Sequence, residues 1–107
     1  MEINKEINEG KAIYHISGRV DTQTAPDLQI VLDKGFEEGE KDLILDFSDV
    51  KYLSSAGLRT ILYAQKRINA LENAKMAVIN VKPDIMEVFD MTGFTDFLTI
   101  NPEENNQ

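Results

Sequence analysis

Two adjacent hydroxyls, Ser54 and Ser55, stand in the stretch FSDVKYLSSAGLRTIL and are followed by the two smallest residues, Ala56 and Gly57. The stretch begins as a buried strand would end and closes as an amphipathic helix would begin. Four chemistries suit two serines at such a turn: a helix cap, a nucleophile, a phosphate cradle, or an acceptor for a modifying group. A cap uses one hydroxyl, which accepts a hydrogen bond from one of the free N–H groups of the first turn and is worth about 1 kcal/mol. Ser54 suits that position. Ser55 then opens the helix with its hydroxyl turned outward, and the cap leaves it unexplained.

A serine nucleophile needs a base and a group that orients the base. The one histidine, His15, falls on an expected strand, where an ordinary hydrogen bond accounts for it. No G-x-S-x-G turn occurs, and carboxylate pairs such as Glu37 and Glu38 fall at an exposed helix end. No enzymatic activity is therefore expected. A phosphate cradle of the P-loop type needs several glycines and a lysine before the helix, and this turn has one glycine and no lysine. Modification meets no such obstacle. The helix macrodipole favours an anion at its N-terminus, Ala56 and Gly57 leave the approach open, and a phosphate adds about -1.5 to -2 charges.

The elements that must hold this turn are legible in outline. Ile3, Lys5 and Ile7 alternate with polar neighbours, YHISG carries β-branched and aromatic residues, and NEG between them signals a turn, so residues 2–18 are expected to form a hairpin. RVDTQ reads as a loop. Thr24, with Asp27 three residues on and Pro26 in the first turn, starts a helix whose stripe is Leu28, Val31, Leu32 and Phe36 and whose stop is Gly39. DLILDF, a continuous apolar run at 42–47, has the look of a strand covered on both faces. Residues 48–54 are expected to be a loop at its carboxyl end. A helix then reaches about Leu71, with Leu58, Ile61, Leu62, Ile68 and Leu71 on one side. KMAVINV at 75–81 completes a right-handed βαβ unit. Pro83 opens a third helix with Ile85, Val88 and Phe89 inward and Gly93 at its end. DFLTI suits a last short strand.

The fold expected is thus α/β: a mixed sheet, hairpin plus parallel βαβ unit, covered by helices. One domain over residues 1–100 is expected, with 101–107 a flexible tail. Such sheets place function outside the carboxyl ends of the parallel strands, which again points at Ser54 and Ser55.

Composition bounds the partners. The 107 residues are 42% hydrophobic and 28% charged, with a formal net charge of -8. Phosphate backbones and anionic membrane surfaces are disfavoured by that charge, so neither nucleic acid nor membrane is expected as a partner. The absence of cysteine excludes disulfides, thiolate metal sites and Cys nucleophiles, and no metal or cofactor is expected. No run approaches the roughly 18 apolar residues that cross a bilayer, and MEINKEINEG lacks the features of a signal peptide. A cytoplasmic location is expected.

Three blocks, GRVDTQTAPDL, DFSDVKYLSSAGLRTIL and MTGFTDFLTI, resemble the anti-sigma factor antagonists, whose fold is the STAS domain. The resemblance covers roughly residues 3–100, with the blocks in the family's order and spacing. It implies a bacterial partner switch. The unphosphorylated antagonist binds an anti-sigma factor that is also a serine kinase, which frees the sigma factor. Phosphorylation of a serine at the start of the central helix ends the complex, and a serine phosphatase resets it. Against the family's D-S-S-G pattern, Ser54 takes the place of the aspartate, Ser55 of the phosphorylated serine, Ala56 of the next serine and Gly57 of the glycine. Asp21 falls on an acidic residue near the same site. Ser54 in place of the aspartate is a departure and makes it the alternative acceptor. A second reading is a STAS scaffold subunit of a stress-signalling assembly, or an accessory subunit of a lipid or anion transport system.

Ser55 is followed at offsets of 4, 8 and 11 by Arg59, Tyr63 and Lys66, which share one side of the helix away from its apolar stripe. In an acidic chain this is a local basic strip, and its start at the switch serine makes it a candidate partner surface.

Overall fold

The computed structural model describes residues 1–93 and 95–102. Strands β1 (Glu2–Asn8) and β2 (Lys11–Val20) form the expected hairpin. Glu9 and Gly10 both have positive φ, as the tight right-twisting hairpin turn requires. Helix α1 (Ala25–Glu37) follows, then β3 (Asp42–Leu53), α2 (Ser55–Asn69), β4 (Lys75–Ile79) and α3 (Pro83–Thr92). The sheet order is β1-β2-β3-β4, with β1 antiparallel to β2 and the remaining pairs parallel. Two successive βαβ units are therefore present, β2-α1-β3 as well as the expected β3-α2-β4.

The segment 48–54 is a correction to the expected loop. Residues 48–53 continue β3 and pair with β2 as far as Val20 opposite Leu53. The register slips twice, between His15 and Ser17 and between Gly18 and Arg19, and each slip places an extra residue on β3. Such bulges hide the alternation that marks a strand. Val50 and Leu53 still reach the core, while Lys51 and Tyr52 face solvent. Two further boundaries move. β2 runs through Arg19 and Val20, and α2 ends at Asn69, so that Leu71 lies beyond the helix and is exposed. Asp96–Ile100 forms no strand; Ile100 makes one bridge to Val78.

DLILDF is covered on one face, not two. Leu43, Leu45 and Phe47 join Leu28, Leu32 and Phe36 of α1, Leu58, Ile61, Ala64 and Ile68 of α2, and Ile85 and Phe89 of α3 in a single core. Each fully buried Leu or Ile there contributes roughly 1.5–3 kcal/mol. Ile13, Ile44, Ala77 and Ile79 look the other way and are only half-buried. Inside the core the Tyr14 hydroxyl donates to Glu40, which also pairs with Lys5, so the buried phenol is satisfied. Asn101, at the start of the expected tail, bonds both backbone groups of Val81 through its side chain. Residues 103–107 lie outside the described residues.

His15 stands on the open face of the sheet and is held from both sides. Its Nδ1 lies 2.7 Å from Asp46 of β3 and its Nε2 2.6 Å from Glu6 of β1. Two carboxylates need two N–H donors, so this geometry favours the imidazolium. The hydrogen bond to Glu6, then that to Asp46, raises the His15 pKa against a smaller desolvation. Burial pushes the Asp46 carboxyl up, but hydrogen bonds from Asn80, the Ser48 N–H and His15 outweigh it and hold the group below its ordinary value. A raised folded-state pKa gives stability that is complete below the unfolded value of about 6.5 and is lost as pH rises through the folded value. Thermal unfolding between pH 5.5 and 9 should show the wild type losing more stability with rising pH than His15→Gln. Parallel curves for the two proteins would contradict this linkage.

Candidate functional site

Val20 and Leu53 are paired across β2 and β3, and each strand feeds a helix at its next turn. Asp21 therefore follows Val20, and Ser54 follows Leu53, on strands about 4.8 Å apart at the carboxyl edge of the sheet. The Ser54 N–H donates to the Val20 carbonyl at 2.9 Å, which ties the start of α2 to the end of β2. Ser54 is the N-cap, with extended backbone, and its hydroxyl accepts from the Gly57 N–H at 3.2 Å. Its hydroxyl is thus committed to the cap. Ser55 is the first helical residue and is exposed, and among the described residues nothing hydrogen-bonds its hydroxyl.

The end of α2 beneath Ser55 is electrostatically open. α1 carries Asp27 in its first turn and α3 carries Asp84, whereas the first turn of α2 has no acid. An anion on Ser55 would meet the positive end of the macrodipole with no acid in the same turn. The other hydroxyl in this turn, Thr60, is buried and turned back on the Ala56 carbonyl at 3.4 Å.

Gly57 has a packing reason. A Cβ there would lie 2.7 Å from Val20 Cγ1, 2.9 Å from Leu53 Cδ1 and 2.9 Å from the Val20 carbonyl oxygen. The last contact is backbone and cannot rotate away.

Asp21 shapes the neighbouring turn. Its Oδ1 accepts from the Gln23 N–H at 3.0 Å and from the Thr24 N–H at 3.1 Å, with the Thr24 hydroxyl oxygen 3.2 Å away. Arg19 lies 3.5 Å from its other oxygen. The Thr24 N–H above all, and then the Gln23 N–H, hold this carboxyl below its ordinary value. Thr24 is the N-cap residue of α1 but makes no side-chain cap; its hydroxyl instead receives the Asp21 N–H and donates to the Arg19 carbonyl.

His15 is not part of this constellation. Its partner residue Asp46 precedes Leu53 by seven residues of β3, on the order of 20 Å of strand. His15 is the expected strand residue, and it is hydrogen-bonded on both ring nitrogens.

Farther along α2, Arg59, Tyr63 and Lys66 do share a face, and they share it with more than solvent. Together with Leu62 and Phe97 they line a groove of about 280 Å³. Arg67 is turned elsewhere, 2.9 Å from Asp33 of α1 and 4.5 Å from the Phe36 ring centre. Phe97 gave no sign in the sequence, because it reaches α2 from a segment more than thirty residues on. Among the described residues no cluster of His, Asp and Glu suits a metal, and no helix is long and apolar enough to cross a membrane.

The STAS domain model matches residues 2–106. The chain belongs to the STAS domain family. BtrV of Bordetella bronchiseptica, provisionally named an anti-sigma factor antagonist, is 30% identical to this STAS domain over 100% of the chain and 89% of its own length. An anti-sigma factor antagonist from Mycobacterium paratuberculosis superposes with a TM-score of 0.86 at 22% identity, covering 95% of this chain and 86% of that one. The Bacillus cell fate determinant SpoIIAA in its phosphorylated form superposes with a TM-score of 0.72 at 15% identity, over 95% of this chain and 93% of its own. The single α/β domain with a mixed four-stranded sheet is the fold of these neighbours.

The close approach at Gly57 makes a direct prediction for this STAS domain. Gly57→Ala should destabilise it by about 1–3 kcal/mol through overpacking against Val20 and Leu53. Urea denaturation measures this, and an unchanged midpoint would show that the first turn of α2 shifts freely.

Proposed function

We propose that this chain is an anti-sigma factor antagonist whose unphosphorylated form binds an anti-sigma factor with serine kinase activity and so frees a sigma factor. Phosphorylation of Ser55 by that kinase ends the complex, and a serine phosphatase restores it. The observation that carries this reading is the division of labour between the two serines. Ser54 spends its hydroxyl on the cap, while Ser55 presents a free one at a helix end that has no acid of its own. The family and the names of its relatives supply the partner class. A relative solved in a phosphorylated form shares the fold.

In this reading Ser55 is the acceptor, and Ser54 and Gly57 hold the turn against Val20. Asp21 fixes the loop beside it and borders the partner surface. Arg59, Tyr63 and Lys66 extend that surface along α2. No residue is assigned a catalytic role, and the protein works in the cytoplasm on a protein partner.

The phosphate acts in two ways. It adds about -1.5 to -2 charges to a surface that meets the kinase, and it stands one turn from Arg59, within reach of the guanidinium. Incubation with the cognate kinase and ATP, followed by peptide mapping, should place phosphate on Ser55. Stoichiometric phosphate on Ser54 with Ser55 empty would reverse the assignment.

Arg59 tests the adjoining surface. The side chain is exposed and takes no part in the core, so Arg59→Glu should leave thermal unfolding nearly unchanged. It should weaken binding of the unphosphorylated protein to the anti-sigma factor by about tenfold or more, equivalent to about 1.4 kcal/mol. Titration calorimetry showing wild-type affinity for the folded variant would remove Arg59 from the interface.

A further inference from the structure

The groove beside α2 has apolar walls between cationic ends. Leu62 gives it a half-buried floor, while Tyr63 and Phe97 keep 57% and 41% of their surface in solvent. Among the described residues neither ring stacks on another ring or on a cation. Two exposed aromatics lining one groove with an arginine are the composition of an interface core rather than of ordinary surface.

The charges sharpen the point. The chain has three arginines. Arg19 is stacked on Tyr52 and pairs with Asp21, and Arg67 is stacked on Phe36 and pairs with Asp33. Arg59 has neither kind of partner among the described residues, and Lys66 likewise has none. In a chain of net charge -8, two unneutralised cations thus bracket an apolar groove. A second copy of this acidic chain would be repelled on average, whereas an acidic segment of another protein would be attracted.

From this geometry we infer that the groove receives an acidic segment of the anti-sigma factor. The segment seats one apolar side chain against Leu62, Tyr63 and Phe97, and its carboxylates pair with Arg59 and Lys66. The inference rests on the reading of this chain as a partner of such a factor and adds a contact to it. Lys66 is eleven residues beyond Ser55, about 16 Å along the helix axis, so the far end of the groove is out of reach of the phosphate. Ser55 then governs when the factor is bound, and the groove governs which factor is bound.

The test uses the anti-sigma factor that co-purifies with the wild-type chain, purified and titrated against unphosphorylated wild type, Phe97→Ala, Tyr63→Ala and Ser55→Asp. Circular dichroism checks that each variant is folded. Both groove variants should bind about tenfold or more weakly. The loss should be the same at 50 and 500 mM salt, because it is apolar. Wild-type affinity in folded Phe97→Ala and Tyr63→Ala overturns the groove, and loss confined to Ser55→Asp then leaves the switch standing alone. Weak binding by the groove variants with wild-type affinity in Ser55→Asp upholds the groove and removes the switch. Should Phe97→Ala fail to fold, Tyr63→Ala decides, since its side chain is mostly in solvent. A benzoylphenylalanine cross-linker at position 97 should attach to an Asp- or Glu-bearing segment of the factor. Attachment to a second copy of this chain overturns the inference.

Discussion

The hydrogen bond from the Ser54 N–H to the Val20 carbonyl, with Gly57 packed onto the same carbonyl, fixes the start of α2 against the end of β2. Most of the site depends on this contact. It brings the Asp21 turn and the serine turn to one edge of the sheet. It requires β3 to run to Leu53, so that Val20 has a strand partner there, and the two bulges supply the residues that reach it. It also explains a glycine that contributes nothing chemical. With the first turn held this close, Ser54 is turned to the Gly57 N–H, and Ser55 is left on the outer side.

The charged side chains divide between scaffold and free surface. Lys5 pairs with Glu40 beside the buried Tyr14 hydroxyl, and Arg67 ties α2 to Asp33 of α1. An exposed pair such as Arg67–Asp33 is worth about 0–1 kcal/mol, so its main effect is to fix where the side chains point. Arg59 and Lys66 are outside this arrangement, and both lie on the face that begins at Ser55. An acidic protein with a small unneutralised cationic strip presents an oriented surface, which favours one acidic partner face over others.

The open side of the sheet has a different character. Glu6, His15, Asp46 and Asn80 form a chain of hydrogen bonds across β1, β2, β3 and the residue after β4. It links the hairpin to the parallel part of the sheet on the face that, among the described residues, no helix covers. Its pH dependence is a matter of stability, because the cluster is far from the serine turn.

The sequence alone determined the local elements and the division between the two serines. Helix ends were legible because Pro26, Pro83 and Gly93 have strong backbone preferences, and the 3.6-residue spacing of Leu58, Ile61 and Ile68 marked the buried side of α2. Ser54 as cap and Ser55 as exposed residue followed from the same local rules. The far half of β3 was not legible, since its bulges break the alternation that identifies a strand, and neither was the open face of the sheet, since a continuous apolar run does not say how many sides are covered. Tertiary structure alone decided the parallel pairing of β2 with β3, the two carboxylates around His15, and the groove that Phe97 completes against α2. Each depends on residues distant in the chain meeting across packed elements, and no short-range spacing encodes such a meeting.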